Sequence, residues 1–435
     1  MTRFGNRILD PRVVAWAACI PMLLSTAASP ARCEILAGAA VRVITPDPLL
    51  PVSGGMGPTK PAREKRGDLT ARALVLRKGE VTVGVVALDL LGFPSVLGDR
   101  VRAKVPRIPG SNVLIGSTHT HSAPDCYALP DGKGGHAGDL AYIDSVCDRA
   151  AEALNQALDR LEPARLQVAT GEARGKIAYN YYAPDLYDRR MSVIRASTPD
   201  GRSIATLVNY AIHPEVLGND IGILSPDLVG PLCETIEAET GGVALFMNGA
   251  QGGMVTADNR LLDQPSDLAR GYWKDARSWE ECLRIGRLMA SEAIRIVAEA
   301  TPQDDPKLAC HSSIVQFPVT SDLMWGAVLG SPLNYPHGDR SISTRLNLVE
   351  LGDARILTVP GEALPNVGFY LKRKMGGAQN MLFGLTNDAF GYILSRVDFH
   401  SFPRYEYISR TSLGEETGEI LIEQALKLVE QAGAP

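Results

Sequence analysis

Between Asn112 and Asp125 the chain reads NVLIGSTHTHSAPD, and this stretch limits the fold more than any other. An apolar run, Val113 to Ile115, passes into small residues and then into His119 and His121 at alternate positions. A short apolar run bounded by turn residues reads as a buried strand. The two histidines then lie at the strand tip or in the loop beyond it, where α/β sheets display reactive groups. Imidazole is the commonest metal ligand, and alternation lets one ring bind metal while the other faces substrate. The plain alternative is a pair of polar residues in an exposed turn.

The chain has 435 residues, of which 45% are apolar and 21% charged, so it can bury a full core. Its net charge of −5 gives no support to nucleic-acid binding. Heptads, low-complexity tracts and internal repeats are not visible. Arg3, Arg7 and Arg12 precede an apolar run from Val13 to Leu24, and Ala27, Ala28 and Ala31 follow it. That is the order of a secretory signal peptide, and the apolar run is too short to span a bilayer. Residues 1–33 are therefore expected to be removed, leaving 34–435 as one large domain, secreted or periplasmic. Seven cysteines occur, none in a CxxC or Cys/His zinc pattern. Export permits disulfides, and Cys126 with Cys147 is the most plausible pair; buried free thiols are the alternative.

Along the chain, Ile35–Ile44 reads as a first strand, and Ala71–Leu76 with Val81–Leu88 as a hairpin around Gly79. Asp89 ends the second run, where it can either orient a metal-bound histidine or cap a turn. Tyr142–Leu161 has helical spacing. Met191–Ala196 and Ile204–Ile212 flank Pro199-Asp200-Gly201, a second hairpin signal, and the second run delivers His213-Pro214. Ser225 reads as the N-cap of a helix with Pro226 at its first position, running to about Glu239. Val243–Met247 feeds Asn248-Gly249-Ala250-Gln251-Gly252-Gly253, an oxyanion-binding loop or a plain glycine turn. Asp263–Lys274 reads as loop, Ser278–Ala300 as a long amphipathic helix, and Met324–Arg340 as a long loop. A third hairpin, Leu346–Glu350 and Ile356–Val359, delivers Glu362. Met381–Leu385 leads to Tyr392, and Gly418–Glu430 closes the chain as a helix. Hairpins mixed with helices predict a mixed α/β fold, with mixed β-sheets flanked by helices in one large catalytic domain.

His119, His121, His213, Glu362 and Tyr392 thus each follow a strand-like run. Two His and one Glu form an ordinary catalytic zinc set, with a position left for water or substrate. The chain also resembles the neutral/alkaline, non-lysosomal ceramidase family, specifically its N-terminal catalytic domain. The matching segments are AGAAVRVITP, GDLTARALVL, VALDLLG, NVLIGSTHTHSAPD, NYAIHP, SPDLVG, NGAQGG, VPGE and LTNDAFGYI, in family order. The resemblance implies one Zn2+ held by His119, His213, Glu362 and Tyr392. It implies that His121 binds substrate and transfers protons, and that Tyr405 contacts the scissile carbonyl. It further implies a lipid or small-molecule amide substrate, ceramide foremost, met at a membrane surface.

Three departures from the family stand out. Its Gly-Asp-Val-Ser-Pro segment is replaced by Gly252-Gly253-Met254-Val255-Thr256. A family Arg is replaced by Tyr181 after Asn180. The motifs stop near Tyr405, with no counterpart expected for the family's C-terminal immunoglobulin-like domain. The expected chemistry is attack by zinc-activated water on an amide, with His121 as general acid/base and Tyr405 and backbone N–H groups near Gly252 stabilising the oxyanion. The competing readings are a zinc hydrolase of another amide or ester on this scaffold, and a secreted binding protein without activity.

Overall fold

The computed structural model describes residues 34–131, 133–267, 272–303 and 305–433; the expected leader, 1–33, lies outside them. Three times in succession the chain builds the same unit. Strands Leu36–Val43, Thr70–Lys78 and Val81–Leu88 pair antiparallel in that order. Helix Ser95–Ala103 crosses over, and Val113–Ser117 returns parallel to Val81–Leu88. Helix Leu140–Asp159 then packs against the first two strands. The second unit repeats this with strands Arg165–Glu172, Arg190–Ser197 and Ser203–Tyr210, helix Val229–Thr240, parallel strand Val243–Asn248 and helix Trp279–Ala298. The third uses Leu308–Pro318, Ser341–Leu351 and Ala354–Thr358, helix Pro365–Lys374, parallel strand Gln379–Phe383 and helix Thr417–Ala432. The sequence shows no repeat because the units share element order and pairing, not residue identity. Mixed sheets flanked by helices are what the hairpin signals predicted.

Alternation along each strand explains the layering. Leu74, Leu76, Val83 and Val85 of the first sheet face a shared core with Ile194 and Leu207 of the second and Val349 and Ile356 of the third. The residues between them, such as Ala73, Val75 and Val86, turn outward and pack under helix Leu140–Asp159. Each sheet is thus buried on both faces, which suits its Val/Ile/Leu content.

The structure corrects several expectations. Within the segment read as loop at 263–274, Arg260–Asp267 pairs antiparallel with Tyr272–Asp275. The first of these strands is mostly exposed, so it has no buried face to print an alternating pattern. The long loop expected at 324–340 contains most of a helix, Asp322–Gly330, capped by the Ser321 hydroxyl on the Met324 N–H. That helix is apolar nearly all round and so lacks helical periodicity. The helix expected from Pro226 starts at Val229, because Asp227 adopts φ 55° and the Ser225 hydroxyl bonds the Asp227 N–H instead. Cys126 and Cys147 are free thiols in one core, as are Cys233, Cys282 and Cys310 elsewhere. Among the described residues no helix is long and apolar enough to cross a membrane.

Candidate active site

The parallel strands of the three units end side by side, and their tips are bonded to one another. Ser117 N–H donates to Leu385 O (3.2 Å), and Asn387 N–H to Ile115 O (2.7 Å). Gly384 N–H donates to Asn248 O (2.9 Å), and the Asn248 side-chain amide to Thr118 O (3.1 Å). Gly116 permits this approach, since a Cβ there would lie 2.4 Å from the Met247 methyl. Beyond this knot the chain must turn sharply. His119 does so with φ 72°, an uncommon conformation for a non-glycine residue and one that marks local strain. Its backbone N–H is fixed on Leu90 O at 3.0 Å.

Two imidazoles are oriented by backbone alone. His119 Nδ1 lies 2.5 Å from Leu91 O, and His213 Nδ1 lies 2.8 Å from Val255 O. Each ring therefore spends Nδ1 on a carbonyl and turns Nε2 elsewhere, the arrangement that orients metal-binding histidines. Both Nε2 atoms meet Glu362, whose Oε2 is 3.0 Å from His213 and 3.5 Å from His119. A tetrahedral zinc with bonds near 2.0–2.1 Å separates its ligand atoms by about 3.3 Å, so these donors fit one ion. Glu362 arrives on a two-residue strand, Glu362–Ala363, paired parallel with Tyr392–Ile393. His121 joins them from the side, and the ligand atoms of His119, His121 and His213 lie within 4.8 Å of one another, compatible with one metal ion.

The charges follow from this packing. Burial works against the Glu362 carboxylate, but His119 and His213 hold its pKa well below the usual carboxylate range. Burial lowers the His213 pKa, yet Glu362 and Glu215 outweigh it and raise it to about 9. His121 goes the other way: burial, with His119 and His213 beside it, overrides Glu215 and takes it down to about 3. Burial also pushes the Tyr392 hydroxyl up, with Glu362 adding to it.

His119, His121, Glu362 and Tyr392 form the polar end of a cavity of about 880 Å³, including its open mouth. Met56, Leu129, Met324, Val328, Phe390 and Leu413 line the rest, so the body of the cavity is apolar. Its apolar lining suits the body of a small organic or lipid ligand. The Tyr392 hydroxyl donates to the Met254 sulfur at 3.3 Å.

Three sequence expectations change at this point. Tyr405 does not line the cavity; it is half-buried against Tyr182 and Phe402, with ring centroids 5.2 and 5.4 Å away. Tyr407, two residues later, lines the cavity instead, with its ring 5.9 Å from that of Tyr392 and its hydroxyl pushed up to about 12 by burial. A short helix, Glu406–Arg410, starts between them and sets Tyr407 at the cavity mouth, where it stays 49% exposed. The Gly252 N–H is already bonded to Ala363 O at 2.9 Å, so it is no oxyanion donor. Gly252 serves packing: a Cβ there would lie 2.1 Å from the Glu362 carbonyl oxygen. Asp89 caps Thr70, accepting from its N–H (2.8 Å) and its hydroxyl (2.6 Å), and orients no imidazole. Glu215 was missed, although it directly follows His213-Pro214; its Oε2 lies 3.5 Å from His121 Nδ1.

No protein-family model matches the chain. In sequence it is similar to neutral ceramidase B of Dictyostelium discoideum, 24% identical over 252 residues covering 48% of this chain. The match spans about a third (34%) of that relative's length. In structure it is similar to the neutral ceramidase of Pseudomonas aeruginosa, with a TM-score of 0.72 and 17% identity over 92% of this chain and 75% of that one. A ceramidase complexed with C2 superposes equally well, with a TM-score of 0.72 and 17% identity over 93% of this chain and 76% of that one. The fold is that of the neutral ceramidases.

Proposed function

We propose that this chain is an exported, zinc-dependent hydrolase that cleaves an N-acyl amide bond, with a ceramide-like lipid as its leading substrate. The observation that carries the reading is the convergence of His119 Nε2, His213 Nε2 and Glu362 Oε2, at 3.0 and 3.5 Å, on the polar end of an apolar cavity. The similarity to two ceramidases supports the substrate class.

His119, His213 and Glu362 would hold the ion, with Tyr392 as fourth ligand once its hydroxyl leaves Met254. Zinc bound there would supply Lewis acidity and a water of lowered pKa. His121 supplies the proton transfers. Its ring is neutral, its Nε2 is buried without a partner, and it lines the cavity, so it can take a proton and return it to the leaving amine. Tyr407 stands where Tyr405 was expected, as hydrogen-bond donor to the carbonyl oxygen. The apolar wall holds the acyl chain and excludes water. Thr256 takes no nucleophilic part, since it does not line the cavity.

A second reading keeps the chemistry and changes the substrate to another amide or ester. The replacement of the family's Asp and Ser at Gly253 and Val255–Thr256 favours it. Export rests on the arginine-flanked apolar N-terminus, and mass spectrometry of the mature protein should find a start between about Ala28 and Glu34. The deciding assay measures zinc content, then follows fatty-acid release from labelled ceramide beside simpler acyl amides and esters. About one zinc per chain with ceramide turnover is expected. Turnover of only a small amide or ester would leave the scaffold reading and remove the ceramidase one. A zinc-replete protein that cleaves nothing would be a binding protein.

A further inference from the structure

The mechanism above leaves Glu215 without a task. Its carboxylate is 3.5 Å from His121 Nδ1, with Thr256 beside it. The pairing is built by backbone, since the His121 N–H donates to Pro214 O at 3.1 Å and fixes the two segments side by side. A parallel bridge between His213 and Thr256 fixes the third partner. On its far side, His121 has a buried Nε2 with no partner, in a ring that lines the cavity.

A neutral imidazole carries one proton, and the partner of one nitrogen decides which nitrogen carries it. A carboxylate at Nδ1 favours the N–H there and leaves a lone pair on Nε2. The opposite tautomer would point an N–H into the cavity and two lone pairs, Nδ1 and Oε2, at each other. A separation of 3.5 Å is long for a finished hydrogen bond, but such bonds tighten when substrate fills the site.

We infer that Glu215 is a positioning residue: it accepts the His121 Nδ1 proton and so presents the Nε2 lone pair to the substrate. This rests on the assignment of His121 as the acid/base group. It deepens that assignment by naming the tautomer and what sets it. The ring is thereby prepared to receive a proton first and donate it second, the order that hydrolysis of an amide needs.

The test is nitrogen-15 NMR of the zinc-loaded protein with labelled histidine, using His121→Ala to assign the His121 signals. Wild type should show a protonated Nδ1 and an unprotonated Nε2 on His121. Glu215→Gln, which keeps an acceptor oxygen of the same shape, should preserve that tautomer. Glu215→Leu should yield a mixture, with kcat down roughly 10–100-fold and KM and zinc content unchanged, a loss typical of removing an orienting partner. A wild-type His121 protonated on Nε2 would overturn the inference even if Glu215→Leu does not fold. An unchanged tautomer in Glu215→Leu would do the same. The acid/base assignment is judged separately by His121→Ala, which should lose about 10²–10⁴-fold in rate. Full activity there would remove the premise, whatever the tautomer.

Discussion

The floor of the cavity and its wall are built by different means. The floor exposes His119 and Glu362 and is backed by the buried His213, each just past a strand of a different sheet unit, with the two rings held at Nδ1 by backbone carbonyls. The strand tips beneath them are cross-bonded between all three units. The wall comes from short and irregular pieces: the Gly54–Met56 loop, helix Asp322–Gly330 and residues near Leu413. That helix presents Met324 and Val328 to the cavity while Leu323 and Leu329 on it are exposed. Under the proposed function, the reacting groups sit where three sheets over-determine their position, and the substrate's body would meet segments that can vary without disturbing them. Catalytic precision needs the first kind of support, and specificity can be carried by the second.

The hardest blow to this contrast would come from the floor. His119→Ala or His213→Ala should remove most bound zinc and reduce turnover to background, while the fold, supported by three sheets, survives. Metal analysis, circular dichroism and the fatty-acid assay measure the three parts. Full zinc occupancy in either variant would mean that the ion sits elsewhere, and the floor would lose its meaning.

The floor was also the part most legible in the sequence. His119, His121, His213 and Glu362 announced themselves because apolar strands end in them, and a strand end is visible as a change from buried to polar residues. The wall was illegible for a physical reason. Helix Asp322–Gly330 lines a cavity on one side and is exposed on the other, yet is apolar on both, so no periodicity betrays it. Tyr407 lines the cavity where Tyr405 is expected because a turn of helix begins at Glu406 between the two, which the spacing from Tyr392 does not show. Glu215 was overlooked because its role depends on meeting a histidine ninety-odd residues away, through a Pro214 carbonyl that spacing cannot show. The threefold unit escaped notice because it repeats pairing and order, which residue identity does not record.

A milder effect is expected from the wall. Met324→Ala shortens a side chain that touches the cavity, and Leu413→Ala does the same from another segment. One methylene in an apolar pocket is worth about 1–3 kcal/mol, so the preference among acyl chain lengths should shift about tenfold or more, chiefly in KM. Zinc content should not change. A loss of zinc in either variant would show that wall and floor are coupled, and the contrast would have to be abandoned.

The smallest effect is expected at Thr256, which belongs to neither part. It lies on a short strand, Val255–Ala257, paired antiparallel with Ala178–Asn180, beside the Glu215 carboxylate. Thr256→Ala takes one hydroxyl from beside a charged group, a loss that water can replace in part. Glu215 would still face His121, so turnover should fall only a few-fold, with zinc and the substrate profile intact. The opposing idea makes Thr256 the nucleophile, standing in for the serine of the ceramidase motif. It requires a hydroxyl pointed at the carbonyl and a base to activate it, yet Thr256 does not line the cavity. Rapid quenching followed by intact-mass measurement decides between them. An acyl adduct that maps to Thr256, or a loss of activity as deep as that of the floor variants, would replace attack by water with a covalent route.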